Sequence, residues 1–103
     1  MKTILEQFNL SKKTALIVGG AGDLGIAMVE ALVEAGAKAV IIDVDKKVFS
    51  ICEKFKQRGY DVFAIKADIS DRKQIKESFE SAINFLEGKL DILVNTAGIQ
   101  RRC

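Results

Sequence analysis

Apolar residues along this chain come in two alternating rhythms. Residues 14–19 (TALIVG) are a short apolar run leaving through glycine, as a buried strand does. From Asp23 the spacing becomes helical, with Leu24, Met28, Ala31, Leu32 and Ala35 predicted to face inward and Gly36 ending the helix. AVIID at 39–43 is a second strand, followed by a helix over 45–58 with Val48, Ile51, Cys52 and Phe55 inward and Gly59 at its end. DVFAIKAD at 61–68 is a third strand. Ser70 or Asp71 is the expected cap of a helix over 71–87, which carries Ile75, Phe79, Ala82, Ile83 and Leu86 and stops at Gly88. LDILVN at 90–95 is the fourth strand.

Near-continuous apolar strands alternating with amphipathic helices predict an α/β fold, a parallel sheet covered on both faces. Right-handed crossovers give four strands in the order 3-2-1-4 with three helices, a partial Rossmann (doubly wound) arrangement whose ligand crevice opens between strands 1 and 4. The 103 residues contain no proline and no linker-like stretch, so a single domain over 1–103 is expected.

Composition narrows the partners. Sixteen basic and 14 acidic residues are interspersed, giving a net charge of +2 and no patch for nucleic acid or anionic lipid. The apolar runs are too short to span a bilayer, and the polar middle of MKTILEQFNL is unlike a signal peptide, so a cytoplasmic location is expected. Two cysteines lack metal or disulfide-framework spacing: Cys52 reads as a small core residue and Cys103 as exposed. Histidine is absent, which removes a Ser-His-Asp arrangement and the commonest general base.

The chemistry gathers at strand ends. In VGGAGDLGIA, between strand 1 and the first helix, Gly19 and Gly20 allow a sharp turn and close ligand approach, and Gly25 allows the helix to pack near the sheet. Helix-start N–H groups there suit a pyrophosphate. Asp43 closes strand 2 about 20 residues further on, where a carboxylate accepts both hydroxyls of an adenosine ribose and repels a 2′-phosphate, favouring NAD over NADP. An ordinary glycine turn with a polar strand end is the bland alternative.

These motifs resemble the N-terminal part of a short-chain dehydrogenase/reductase. That family's Thr-Gly-x-x-x-Gly-x-Gly reads here Val18-Gly19-Gly20-Ala21-Gly22-Asp23-Leu24-Gly25, and its Asn-Asn-Ala-Gly reads Asn95-Thr96-Ala97-Gly98. Ala67-Asp68-Ile69 matches the element that contacts adenine. The resemblance implies that Gly19, Leu24 and Gly25 line the pyrophosphate site, that Asp43 holds the adenosine ribose, and that Asp68 and Ile69 border the adenine. Asn95, Ala97 and Gly98 would support the central strand and the nicotinamide ribose. Val18 replaces the usual threonine, losing a hydroxyl that normally ties the turn to neighbouring backbone, and Thr96 replaces asparagine, a milder change because its hydroxyl can still hydrogen bond locally. Asp23 stands where glycine is usual; it reads first as an N-cap and second as a charge that weakens cofactor binding.

The family's serine and Tyr-x-x-x-Lys lie beyond strand 4. Tyr60 is the only tyrosine, and the residue four positions on is Ala64, so no catalytic residue is assigned and no turnover by this chain alone is expected. The sequence therefore reads as a truncated NAD-binding domain, with NAD(H) as partner and a homo-oligomer expected through apolar surface beside strand 4. AGIQRR at 97–102 is similar to the run in members acting on sugar acids, such as gluconate 5-dehydrogenase and 2-deoxygluconate 3-dehydrogenase, where Arg101 and Arg102 would face a substrate carboxylate; a solvated tail is the alternative for these two arginines. A non-catalytic, self-associating or partner-binding module with a degenerate cofactor site is the competing reading, and a split enzyme completed by a second polypeptide is a third.

Overall fold

A computed structural model describes residues 10–96. Its elements are β1 (Thr14–Val18), α1 (Asp23–Glu34), β2 (Lys38–Asp43), α2 (Val48–Gln57), β3 (Val62–Lys66), α3 (Arg72–Phe85) and β4 (Ile92–Asn95). All strand pairs are parallel, in the order β3-β2-β1-β4. The expected α/β architecture, four parallel strands with three helices, is what the chain adopts.

Alternate residues of the central strands enter two cores. Ala15 and Ile17 of β1, with Ala39 and Ile41 of β2, meet Val29 and Val33 of α1 and Val48, Cys52 and Phe55 of α2. Leu16, Val40 and Ile42 point the other way and meet Ala82 and Leu86 at the end of α3, with Phe63 and Phe85 stacked at a centroid distance of 4.9 Å. Burial on both faces explains the unbroken apolar runs of β1 and β2.

Two predicted helix faces need correction. Helix α1 buries Gly25, Val29 and Val33, with Leu32 and Ile26 packed beside them, whereas Leu24 is 40% exposed and Ala31 also faces out. The helix is rotated so that Gly25, which has no side chain, makes its closest approach to the turn before it. Helix α3 buries Ser78 and Ala82 and leaves Phe79 exposed, because its apolar arc is wider than the strip of sheet it covers. Leu93, paired with Leu16 and so on the α3 side of the sheet, is 58% exposed.

Boundaries shift modestly. The segment from Asp45 forms a turn, with Val48 N–H donating to the Asp45 carbonyl at 3.1 Å, before α2 begins. Strand β3 ends at Lys66, although Ala67 N–H still reaches the Asp43 carbonyl at 2.9 Å. The glycines at 36, 59 and 88 follow the three helices with φ of 110°, 91° and 81°, the left-handed geometry of helix ends.

Candidate functional site

The C-terminal ends of β1, β2 and β4 converge on the glycine turn. Gly19 has φ of 87°, and its N–H donates to the Ile42 carbonyl at 2.7 Å, so the turn starts anchored to β2. Gly20 owes its size to packing: a Cβ there would stand 2.0 Å from Ile41 Cγ2. The sequence reading gave Gly20 a role in approach to a ligand; the observed close approach is to β2. A Cβ on Gly25 would lie 2.3 Å from the Gly19 carbonyl oxygen and 2.6 Å from Gly20 Cα, so the helix start and the turn are in backbone contact.

Asp23 is not the N-cap. Gly22 holds that position in extended backbone, φ −83° and ψ 169°, and among the described residues no side chain caps the helix. Asp23 is the first helical residue and is exposed, where its charge favours the helix dipole without occupying the first-turn N–H groups. Intrahelical bonding begins with Ile26 N–H to the Gly22 carbonyl at 2.8 Å. Asp23, Leu24 and Gly25 therefore present amides without intrahelical acceptors, a donor set suited to an anion.

Asp43 ties β2 to this turn. Its Oδ2 accepts from Ala21 N–H at 2.9 Å and its Oδ1 accepts from Asp45 N–H at 3.0 Å. These bonds hold the carboxylate at the crevice edge, and each oxygen retains further acceptor capacity.

Asp68 follows β3 at the same edge of the sheet. Its Oδ1 accepts from the Ser70 hydroxyl at 2.7 Å and the Ser70 N–H at 2.9 Å, while its own N–H donates to Gln74 Oε1 at 2.8 Å. The hydroxyl bond, then the amide bond, hold this carboxyl below its ordinary pKa. Ile69 is 38% exposed beside it. Asn95 ends β4 and is exposed, in register with Val18. Ala97 and Gly98 lie outside the described residues.

Two positions in this region differ from expectation: Gly22 is the N-cap, and the Thr96 hydroxyl bonds at long range instead of locally. Gly22 as N-cap was signalled, since glycine is an accepted N-cap residue and directly precedes Asp23. Thr96, 1% exposed, has Oγ1 within 3.1 Å of the Val18 carbonyl and 2.9 Å of the Gly19 carbonyl, a link across 77 residues that no local pattern carries.

Elsewhere the chemistry is structural. Tyr60 precedes β3, at the sheet edge away from the glycine turn, and packs near Phe55 and Arg58, with ring centroids 6.4 Å apart in the first pair. The Cys52 thiol is buried, points to the Val62 carbonyl at 3.4 Å, and is pushed up in pKa by burial. Among the described residues, no cluster of His, Cys, Asp and Glu side chains could hold a metal, and no helix is long and apolar enough to cross a membrane.

Residues 13–103 match the family described as short chain dehydrogenase. The chain belongs to the short-chain dehydrogenase family. Within it, the short chain dehydrogenase/reductase dpchG of Colletotrichum higginsianum is 39% identical over 94 residues, covering 90% of this chain and 35% of the relative. A diacetyl reductase [(S)-acetoin forming] of Staphylococcus epidermidis is 39% identical over 88 residues, covering 84% and 34%. A short-chain dehydrogenase/reductase from Burkholderia phymatum, solved in complex with NAD, superimposes with a TM-score of 0.77 at 26% identity over 82% of this chain and 30% of that one. The chain thus spans about a third of the length of these short-chain dehydrogenases.

Proposed function

We propose that these residues form the NAD-binding portion of a short-chain dehydrogenase/reductase. The observation that carries this reading is the uncapped start of α1, whose free amides sit behind the Gly19–Gly20 turn with the Asp43 carboxylate fastened beside them. The donor set fits a pyrophosphate, and the carboxylate fits an adenosine ribose. In this reading Gly19, Leu24 and Gly25 face the pyrophosphate, Asp43 selects NAD(H) over NADP(H), Asp68 and Ile69 border the adenine, and Asn95, Ala97 and Gly98 serve the nicotinamide end. NAD supplies acceptance and delivery of hydride. The residues of this chain bind and orient it.

Neither a serine–tyrosine–lysine set nor a Tyr-x-x-x-Lys motif occurs in these 103 residues, so the chain as given is expected to bind without turnover. Arg101 and Arg102 make a sugar acid the expected substrate class for the whole reaction, since paired guanidinium groups suit a carboxylate. None of the three relatives named above carries a sugar-acid name. A cytoplasmic location belongs to the same proposal.

Titration with NADH and NADPH by calorimetry tests the reading. Saturable NADH binding, weaker for NADPH and weakened by Asp43→Ala, is the expected result. No binding to the folded chain overturns it.

A second reading rests on the exposed Leu93 and Phe79 on the α3 side of the sheet. Self-association through that surface would make the chain a homo-oligomer, with or without cofactor. Sedimentation of Leu93→Lys against the parent tests this: a shift to monomer supports it, and a parent that is monomeric at every concentration rejects it.

A further inference from the structure

The Gly19 carbonyl is held from two sides. Gly25 of α1 approaches so closely that a Cβ there would lie 2.3 Å from this oxygen, and the Thr96 hydroxyl of the β4 end stands 2.9 Å away. That hydroxyl is also 3.1 Å from the Val18 carbonyl, which already accepts from Thr96 N–H at 2.9 Å. One buried proton donor thus spans the last carbonyl of β1 and the first of the turn. The other hydrogen bond to the Gly19 carbonyl, from Gly22 N–H, is long at 3.4 Å.

Orientation follows from peptide planarity. Fixing the Gly19 carbonyl fixes the Gly20 N–H of the same peptide in the opposite direction. It also fixes where the chain enters Gly22 and hence the aim of the first α1 amides. Val18 has no hydroxyl with which β1 could make this connection from its own side, so in this chain the donor comes from β4.

We propose that Thr96 is the positioning residue of the glycine turn, acting through the Gly19 carbonyl to hold the α1 amides in their binding orientation. Its effect on cofactor rests on the NAD-binding reading above. Its effect on the turn does not.

The test uses Thr96→Val, which keeps the shape and removes the donor, Thr96→Ser, which restores it, and Thr96→Ala, a second donor-free variant without the added methyl. Amide hydrogen exchange of residues 19–25 is compared with that of 14–18 and 38–43, alongside NADH titration. For Thr96→Val, exchange of the bonded amides in 19–25, those of Gly19, Ala21 and Gly22, should rise and NADH affinity fall, each about 10-fold, with the strands unchanged; this is the scale of one buried hydrogen bond. Thr96→Ser should return both toward the parent, and Thr96→Ala should lose turn protection as Thr96→Val does. Unchanged exchange of 19–25 in Thr96→Val overturns the proposal, as does equal loss of protection across all strands in both Thr96→Val and Thr96→Ser. Should Thr96→Val not fold, Thr96→Ala takes its place: lost turn protection restored in Thr96→Ser supports the proposal, and parental turn protection in Thr96→Ala overturns it. Absence of NADH binding in the parent rejects the cofactor reading while the exchange comparison still decides the role of Thr96.

Discussion

Helices α1 and α3 both begin just after the C-terminal end of a strand, but their first turns are treated differently. At α3 the chain satisfies itself. Asp71 Oδ1 accepts from Lys73 N–H at 2.9 Å and Gln74 N–H at 3.4 Å, and the Gln74 side chain bridges Asp71 Oδ2 and the Asp68 amide. At α1 the N-cap is Gly22, and among the described residues no side chain bonds the first amides. The two starts share one edge of the sheet, so position alone does not make a binding site. In the NAD-binding proposal, what separates the α1 start is the glycine turn before it and the Asp43 carboxylate fastened beside it.

The largest expected effect comes from disrupting the open start. Gly25→Ala forces a methyl group onto the Gly19 carbonyl and the Gly20 backbone, so a loss of about 3 kcal/mol in urea unfolding is expected, the upper range for overpacking. NADH binding should disappear with it. Next, Asp71→Ala removes the closed cap of α3. It should cost about 1 kcal/mol by the same measurement and leave the NADH dissociation constant within about 2-fold, because this helix start is not at the pyrophosphate.

A smaller substitution sharpens the contrast by making α1 resemble α3. Gly22 has an extended backbone that serine adopts readily, so Gly22→Ser should stabilise the chain by a few tenths of a kcal/mol, roughly 0.3, while weakening NADH binding because its hydroxyl takes an amide. Thermal melts and calorimetry on the same sample should show the two quantities moving in opposite directions.

The smallest effect is in acid. Asp68 is held below its ordinary pKa by the Ser70 hydroxyl and amide; Asp91 is held below by the Thr14 amide and by nearby Lys89. A folded-state pKa below the unfolded one gives stability that is present above the unfolded value, about 4 for aspartate, and lost as pH falls through the folded value. Stability should therefore decline below about pH 4, and Asp68→Asn or Asp91→Asn should flatten that decline.

Much of this was legible in the sequence because parallel α/β folds use simple signals. Buried strands read as apolar runs, and Gly36, Gly59 and Gly88 marked helix ends that positive φ requires. The rotation of α1 was not legible. Leu24, Met28 and Ala31 offer as good an apolar stripe as Val29 and Val33, and the deciding position, Gly25, has no side chain to count. Asp23 was misread as a cap because aspartate is a strong N-cap residue, while Gly22 before it looked like part of the turn. At Thr96 the hydroxyl was legible but its partners were not: a local bond was expected, yet they are 77 and 78 residues away, and only the finished β1–β4 pair brings them together.

That pairing also sets a schedule for synthesis. Val18 is matched with Asn95, so at about 5–20 residues per second the ribosome needs about 4–15 s to supply the partner of β1 after β1 itself is made. Over that interval one edge of an almost wholly apolar strand stands open beside β2, a template for any other extended chain nearby. A nascent chain of this design therefore gains from a chaperone that binds extended apolar segments until its fourth strand emerges.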